Sequence, residues 1–145
     1  MTGIAFHFNV PDKLAYGCRL VRKAYLSGAR IAVTAEPALL AEFDALLWRF
    51  SPAEFVPHCA AHALSTTVRA TPIVLAASPA DCSDREVLVN LGQGIPAGFE
   101  GFARLIEVVS MLPQDVQTGR DRWKHYAKRG YDLVRHDLAK TGAGA

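Results

Sequence analysis

The sequence lacks several features that would place it in a specialised class of protein. It has only three cysteines, Cys18, Cys59 and Cys82, whose odd count and scattered spacing argue against a disulfide framework and favour a reducing, cytoplasmic compartment. No run of about 18 apolar residues is present, so no segment is expected to span a membrane. The N-terminus lacks the basic region and long apolar run of a signal peptide. We therefore expect a cytoplasmic protein that does not associate with membranes.

Net charge is also low, but charge is unevenly distributed along the chain. The formal total over 145 residues is +2, which by itself indicates neither nucleic-acid nor membrane binding. The segment between Gly119 and Lys140 contains seven basic residues and three aspartates, so its formal charge is +4 and that of the remainder is −2. A basic segment on a near-neutral body predicts an acidic partner, although a solvated helix face remains open as an alternative.

Hydrophobic periodicity predicts alternating strands and helices. Apolar runs predict strands at 4–10, 30–35, 72–77 and 86–91. The run 103–112 is either a last strand or a short helix, and its β-branched residues with the following Pro113 favour a strand. Helical spacing predicts helices at 11–26, 37–48 and 114–129, with a further helical turn or two at 131–138 and a long connection at 49–72. This order predicts a single α/β domain over 1–140, three-layered and Rossmann-like with a mostly parallel central sheet, and a flexible tail over 141–145.

The segment "FVPHCAAH" places His58, Cys59 and His62 close together but does not predict a metal site. Structural zinc requires four nitrogen or sulfur ligands, usually as two close pairs, and no second pair lies nearby. A His58/Cys59 nucleophile is also disfavoured, because adjacent residues rarely present their side chains to each other. We assign His58 a loop-fixing hydrogen bond and expect no metal.

The glycine-rich segment "GQGIPAG" at 92–98 follows a predicted strand but lacks the dinucleotide fingerprint, since position 97 is alanine. The first strand-to-helix turn, "NVPDKL", has no glycine. A small nucleotide-binding enzyme therefore stays open only as an alternative, and no cofactor is expected. Asp81, Asp84, Arg85 and Glu86 are interpreted as a solvated turn, and Glu107 as a residue at a sheet edge or facing outward.

The segment "GRDRWKHYAKRGYDL" combines basic and aromatic residues on a predicted helix. Arg120, Trp123 and Lys124 share one helix face, and Tyr126 lies near Arg122. Aromatics between arginines can stack unpaired bases, or they can form an apolar pocket whose rim binds a carboxylate. The structural alternative is a terminal helix whose aromatics are core and whose charges are solvated.

Taken together, four segments resemble the chi subunit family of bacterial DNA polymerase III. They are "LLWRF…FVPH" (46–58), "VLVNL", "FARLIEVV" and the pattern R-x-R-W-K-x-Y-x-x-x-G-Y-x-L (120–133). The resemblance covers nearly the whole chain. It implies a non-catalytic accessory protein of the clamp loader without nucleotide chemistry, which contacts DNA only indirectly.

The resemblance also implies partners and the residues that bind them. One surface binds the psi subunit, or a repair helicase in some members, and Trp48 and Phe55, the latter held by Pro57, match it. Another binds the acidic, phenylalanine-ending tail of single-stranded DNA-binding protein, and Leu112, Arg120 and Trp123 match that pocket. Arg122, Lys124 and Tyr126 are added as neighbours on physical grounds. The segment 114–119 lacks a lysine that the family can place there and is about three residues shorter.

Overall fold

The computed structural model describes residues 1–50, 57–61, 67, 71–82 and 85–141, which form a parallel sheet with helices on both faces. The seven strands are β1 (Gly3–Val10), β2 (Ile31–Thr34), β3 (His58–Ala60), β4 (Ile73–Leu75), β5 (Val87–Asn90), β6 (Arg104–Ser110) and β7 (Leu133–Asp137), in the order β3-β4-β2-β5-β6-β1-β7. The helices are α1 (Lys13–Leu26), α2 (Pro37–Phe50), α3 (Pro113–Lys128) and α4 (Leu138–Thr141). The predicted three-layer α/β class is confirmed.

Helix α1 shows how local sequence sets the boundaries. The Asp12 carboxylate accepts a hydrogen bond from the Ala15 amide at 3.1 Å, which satisfies one of the free donors of the first turn. The helix ends at Ser27 because Gly28 adopts a left-handed φ of 90°, a conformation that glycine reaches without steric cost. The predicted end at Ser27-Gly28 is therefore confirmed.

The sheet separates two hydrophobic layers. On one side, here called the α1 face, Val21 of α1 and Phe43 of α2 pack against strand residues such as Val89. On the other side, the α3 face, Phe6 of β1 and Phe99 pack against Tyr126 of α3. Among the described residues no helix is long and apolar enough to cross a membrane.

The prediction of helical turns at 131–138 is wrong, because residues 133–137 form strand β7. This segment pairs in parallel with β1, with Ile4 opposite Leu133, Phe6 opposite Arg135 and Phe8 opposite Asp137. The open edge of β1 offers backbone partners that a continued helix would leave unused. Only residues 138–141 are helical, as α4, and residues 142–145 of the predicted tail lie outside the described residues.

The interpretation of 49–72 as a connection also needs correction. Helix α2 continues to Phe50, and His58–Ala60 forms strand β3, which pairs with β4 at the sheet edge. The solvated turn proposed around Arg85 is wrong for that residue, which is buried. Its guanidinium donates to the carbonyls of Thr71 at 2.6 Å and Pro72 at 2.9 Å, which anchors the start of β4.

His7 of β1 is a half-buried histidine on the α1 face, and it predicts acid sensitivity. Burial lowers the pKa of His7 to about 4, with contributions from the nearby charges of His136, Arg104 and Lys23. Its ring nitrogen shares a hydrogen bond with the Tyr16 hydroxyl. The folded state therefore favours neutral His7, whose contribution to stability is complete above about pH 6.5 and is lost as the pH falls toward 4.

We expect His7→Gln to reduce the loss of unfolding free energy between pH 7 and pH 5, because glutamine gains no charge in this range. Urea unfolding at both pH values measures the loss for each protein. The comparison removes the contributions of carboxylates such as Asp115, which both proteins share. Equal losses for wild type and variant would show that His7 does not control acid sensitivity.

Candidate functional site

A cavity of about 420 Å³ opens on the α3 face, between α3 and strands β1, β6 and β7. Its apolar wall and its polar and cationic rim come from all four elements. The lining residues are Phe6, Phe8, Asn9, Val109, Ser110, Val116, Gly119, Arg120, Trp123, Lys124 and Arg135. None of these described lining residues is acidic, so the cavity combines an apolar interior with three cations. Such a combination suits a ligand with an apolar group and a carboxylate.

Helix α3 supplies the residues that the sequence placed on one helix face. Arg120 and Lys124 are exposed at the rim, and Trp123 is half-buried in the wall, so the prediction that they lie together is confirmed. Gly119 allows the close approach of α3 to β6, because a Cβ atom there would lie 2.9 Å from Cγ2 of Val109. Gly119 itself lines the cavity next to Arg120.

Aromatic and cationic contacts order the cavity wall. The ring of Trp123 packs edge-to-face on Phe6, with 5.1 Å between ring centroids. The Arg135 guanidinium carbon lies 5.1 Å from the centre of the Phe8 ring and 5.8 Å from that of Trp123. These cation–π contacts hold an exposed arginine over the apolar wall, so its charge faces the opening.

Sequence reasoning missed Arg135, Phe6 and Phe8 as site residues. Arg135 was assigned to a helical turn, yet as part of β7 it lies beside Phe6 in register and shares the α3 face. The segment "LVRHD" carried a signal for a strand. It follows Gly130, begins with apolar Leu133 and Val134, and is too short for a stable helix. Phe6 and Phe8 alternate along β1, which indicated one shared face.

Leu112 occupies the N-cap position of α3, where its side chain makes no capping hydrogen bond, and it does not line the cavity. It is 69% exposed, and its amide donates to the Ser110 hydroxyl at 3.3 Å. With Met111 beside it, 60% exposed, it forms a short apolar ledge at the β6–α3 turn. The structure therefore places Leu112 outside the cavity that Arg120 and Trp123 line.

Arg122 and Tyr126 point into the protein rather than into the cavity. Both are buried and bind Glu107 on β6: Arg122 Nε donates to Oε1 at 3.0 Å and the Tyr126 hydroxyl to Oε2 at 2.6 Å. The expectation that these two residues add to the exposed pocket is thus corrected, because their polar groups are used by a buried carboxylate. They support the site by fixing α3 against the sheet.

Glu107 lies in the centre of the sheet, which corrects its interpretation as an edge or outward residue. Strand β6 lies between β5 and β1, and the Glu107 side chain is fully buried. Burial raises the pKa of Glu107, while the charge of Arg122 and hydrogen bonds from Tyr126 and Asn90 favour its carboxylate form. The contact with Arg122 is the ion pair that ties α3 to β6.

An ion pair between two protein side chains crosses the crevice where a nucleotide would bind. In parallel sheets this crevice lies where adjacent strands continue to opposite faces, here between β1, which leads to α1, and β6, which leads to α3. Lys13 at the start of α1 spans it with an ion pair of 3.0 Å to Asp115 in the first turn of α3. Burial opposes ionisation of Asp115, but the Ser110 amide and Lys13 hold its pKa below the usual value.

Backbone amides of the glycine-rich loop after β5 also form hydrogen bonds within the protein. The Gly92 amide donates to Asn90 Oδ1 at 2.9 Å, and the Gln93 amide donates to Glu36 Oε1 at 2.9 Å. Two amides that could cradle a phosphate are therefore already bound, one of them by a carboxylate that would repel an anion. These contacts disfavour the alternative of a nucleotide-binding enzyme.

A second surface surrounds the end of α2. Trp48 is 56% exposed, and its ring centre lies 4.5 Å from that of His58 on β3, which follows half-buried Pro57. Nε2 of His58 lies 3.0 Å from Asp44 Oδ1, a contact that ties β3 to α2 and is ionic only when the histidine is protonated. Phe55 and His62 lie outside the described residues. Within the described part of the chain, no group of three metal-binding side chains is found.

Comparison with known proteins gives a consistent assignment. The family model described as "DNA polymerase III chi subunit, HolC" matches residues 1–134. A curated relative from Pseudomonas aeruginosa, DNA polymerase III subunit chi, is 30% identical over 129 residues, which is 88% of each chain. The protein of the same name from Haemophilus influenzae is 30% identical over 118 residues, or 80% of this chain and 81% of the relative. Because these matches cover most of the fold described above, the chain belongs to the DNA polymerase III chi subunit family.

Proposed function

We propose that this chain is a non-catalytic adaptor of the bacterial clamp loader, acting at the replisome in the cytoplasm. In this proposal the α3-face cavity binds the acidic, phenylalanine-ending C-terminal tail of single-stranded DNA-binding protein. The surface around Trp48 and Pro57 binds the psi subunit, or a repair helicase in its place. The observation that carries the first part is one cavity with an apolar interior and three cations at its rim: Arg120, Lys124 and Arg135.

The chemistry of the ligand matches the cavity. A C-terminal phenylalanine presents an aromatic ring and a free carboxylate within a few ångströms of each other. The ring can contact the apolar wall formed by Phe6, Val109 and Trp123. The carboxylate can be bound by Arg120, whose planar guanidinium donates two parallel hydrogen bonds to a carboxylate. Lys124, one residue along the same helix from Trp123, adds positive charge without the same directional demand.

We expect a fluorescent peptide of acidic residues ending in phenylalanine to bind with a dissociation constant of about 1 µM, or about −8 kcal/mol. The affinity stays moderate because a flexible peptide must be ordered on binding. Raising the salt concentration should weaken binding, since the rim cations and the acidic residues are exposed to solvent. Fluorescence anisotropy measures both effects.

Two matched peptides test the specific features of the ligand. Amidation of the terminal carboxylate removes the partner of Arg120, and replacement of the last phenylalanine by alanine removes the ring. Each change should weaken binding by about tenfold or more. Equal binding of all three peptides would contradict the pocket and leave only non-specific charge attraction.

The second surface is proposed on exposure and aromatic character. Trp48 is a large exposed aromatic residue, and tryptophan is enriched among residues that dominate protein interfaces. We expect Trp48→Ala to lower capture of the psi subunit by at least tenfold while peptide binding stays unchanged. A co-purification assay and the anisotropy titration measure the two activities separately. Phe55→Ala is expected to behave in the same way, and loss of both activities would instead indicate a folding defect.

Direct binding of single-stranded DNA by α3 is the competing function. Stacking requires an aromatic face that a base can cover. Here Trp123 contacts Phe6 on one side and the Arg135 guanidinium on another, and Tyr126 is buried. The contacts therefore favour a peptide in the cavity over bases on the helix. An oligonucleotide titration at moderate salt distinguishes the two functions, because tight oligonucleotide binding with no peptide binding would reverse the preference.

A further inference from the structure

A second cavity of about 360 Å³ adjoins the first at the carboxyl end of β7. It is lined by Phe8, Arg135, His136, Asp137 and Lys140. Phe8 and Arg135 line both cavities, so the two cavities adjoin at these side chains, with Trp123 in the first and Lys140 of α4 in the second.

Arg135 stands between the two cavities. Its guanidinium lies over the rings of Phe8 and Trp123, and its side chain is exposed on an edge strand. A cation at this position can attract carboxylates from either side. Lys140 is exposed at the far end of the second cavity, so two cations flank its opening.

One carboxylate, that of Asp137, also lines the second cavity and offsets part of the positive charge of Arg135 and Lys140. Asp137 Oδ1 accepts hydrogen bonds from Asn9 Nδ2 at 2.8 Å and from the Ala139 amide at 3.0 Å, where it caps α4. These bonds turn the carboxylate toward β1 and the helix end. Arg135 and Lys140 are more exposed than Asp137, so two cations against one carboxylate leave the opening with an excess of positive charge.

We propose that the second cavity binds acidic side chains of the same peptide, upstream of its terminal phenylalanine. This inference rests on the proposed function of the first cavity and adds the direction of the ligand. The peptide ends against Trp123 and Arg120 and runs backward past Arg135 toward Lys140. An extended chain advances about 3.3 to 3.6 Å per residue, so a few residues reach from one cavity to the next.

The test compares two peptides that share length and the terminal phenylalanine but carry aspartate or asparagine at the upstream positions. The measured quantity is the ratio of their dissociation constants. In the wild type we expect the aspartate peptide to bind about five- to tenfold more tightly at low salt, as two exposed ion pairs allow. In the double variant Arg135→Gln/Lys140→Gln the ratio should fall to about 1, and in Lys140→Gln alone to an intermediate value.

A charge-matched control separates local contact from net charge. Lys23→Gln/Arg49→Gln removes two exposed cations from α1 and α2, which pack on the opposite face of the sheet. This control should keep the wild-type ratio. The inference is overturned if the control lowers the ratio as much as Arg135→Gln/Lys140→Gln, or if that double variant leaves the ratio unchanged.

The failure of the proposed function gives a different result. If neither peptide binds the wild type, or if binding ignores the terminal phenylalanine, the first cavity is not a tail-binding site and both proposals are overturned. If both peptides bind with the expected dependence on phenylalanine and the ratio is about 1 in the wild type, only the path through the second cavity is wrong. Thermal unfolding of each variant confirms that the comparison is made between folded proteins.

Discussion

Glu107→Gln is expected to lower the free energy of unfolding by about 3 to 5 kcal/mol, because it leaves the buried charge of Arg122 without its partner. The carboxylate accepts three hydrogen bonds, from Asn90 at 2.8 Å, Arg122 at 3.0 Å and Tyr126 at 2.6 Å. Glutamine has nearly the same shape but only one oxygen, so its amide group must face one of these donors. Urea unfolding at pH 7, monitored by circular dichroism, measures the change.

Two further variants identify the source of this loss. Glu100→Gln makes the same chemical change at an exposed position and should alter stability by about 0.5 kcal/mol or less. Adding Arg122→Met to Glu107→Gln removes the unpaired charge. The double variant should therefore cost less than the sum of the two single changes, by about 1 kcal/mol or more. A small effect of Glu107→Gln would mean that Glu107 is already neutral in the folded protein.

The same network connects stability to the binding site. Arg122 and Tyr126 are buried on α3 next to Trp123, so the bonds to Glu107 fix the helix that carries the cavity wall. A helix that shifts on the sheet moves Arg120 and Trp123 relative to Phe6 and Arg135. We therefore expect Glu107 variants that remain folded to bind the peptide less tightly, although Glu107 does not reach the cavity.

The parts of the fold that the sequence predicted are those determined by local pattern. Helix α1 has an N-cap, an apolar stripe and a terminal glycine, and the strands β2, β4 and β5 are short apolar runs. The elements at the two sheet edges were not predicted, because β3 and β7 each have few residues and depend on a neighbouring strand. Their pairing is a tertiary contact that sequence periodicity does not encode.

The candidate site was predicted on the helix and missed on the sheet. Helical spacing placed Arg120, Trp123 and Lys124 together, since residues three and four apart share a face. Helical spacing gives no information on Arg135, because Arg135 lies on β7 and its position follows from its pairing with Phe6 of the neighbouring strand β1. Glu107 was misjudged for a related reason. A charge in an apolar strand is usually outward, and only the buried partners on α3 and β5 make an inward position stable.

Arg120→Ala is expected to weaken peptide binding by about tenfold to a hundredfold with little change in stability. Hydrogen bonds to a charged group contribute about 1.5 to 3 kcal/mol, and Arg120 is the helix residue at the cavity rim that can bind the terminal carboxylate with two parallel bonds. Arg120→Lys keeps the charge but loses the planar geometry, so its effect should be intermediate. Anisotropy titration with the phenylalanine-ending peptide measures each variant.

Trp123→Ala should have an effect of similar size through the apolar wall rather than through charge. Trp123 contributes a large ring beside Phe6, and its removal opens the slot that the terminal phenylalanine would fill. Because Trp123 is half-buried, the thermal stability of the Trp123→Ala variant must be measured alongside its peptide binding. Arg129→Ala removes an exposed arginine at the end of the same helix, outside both cavities, and serves as the matched control for Arg120. If Arg129→Ala weakens binding as much as Arg120→Ala, the peptide responds to the overall basic charge of α3, and the cavity does not select the terminal residue.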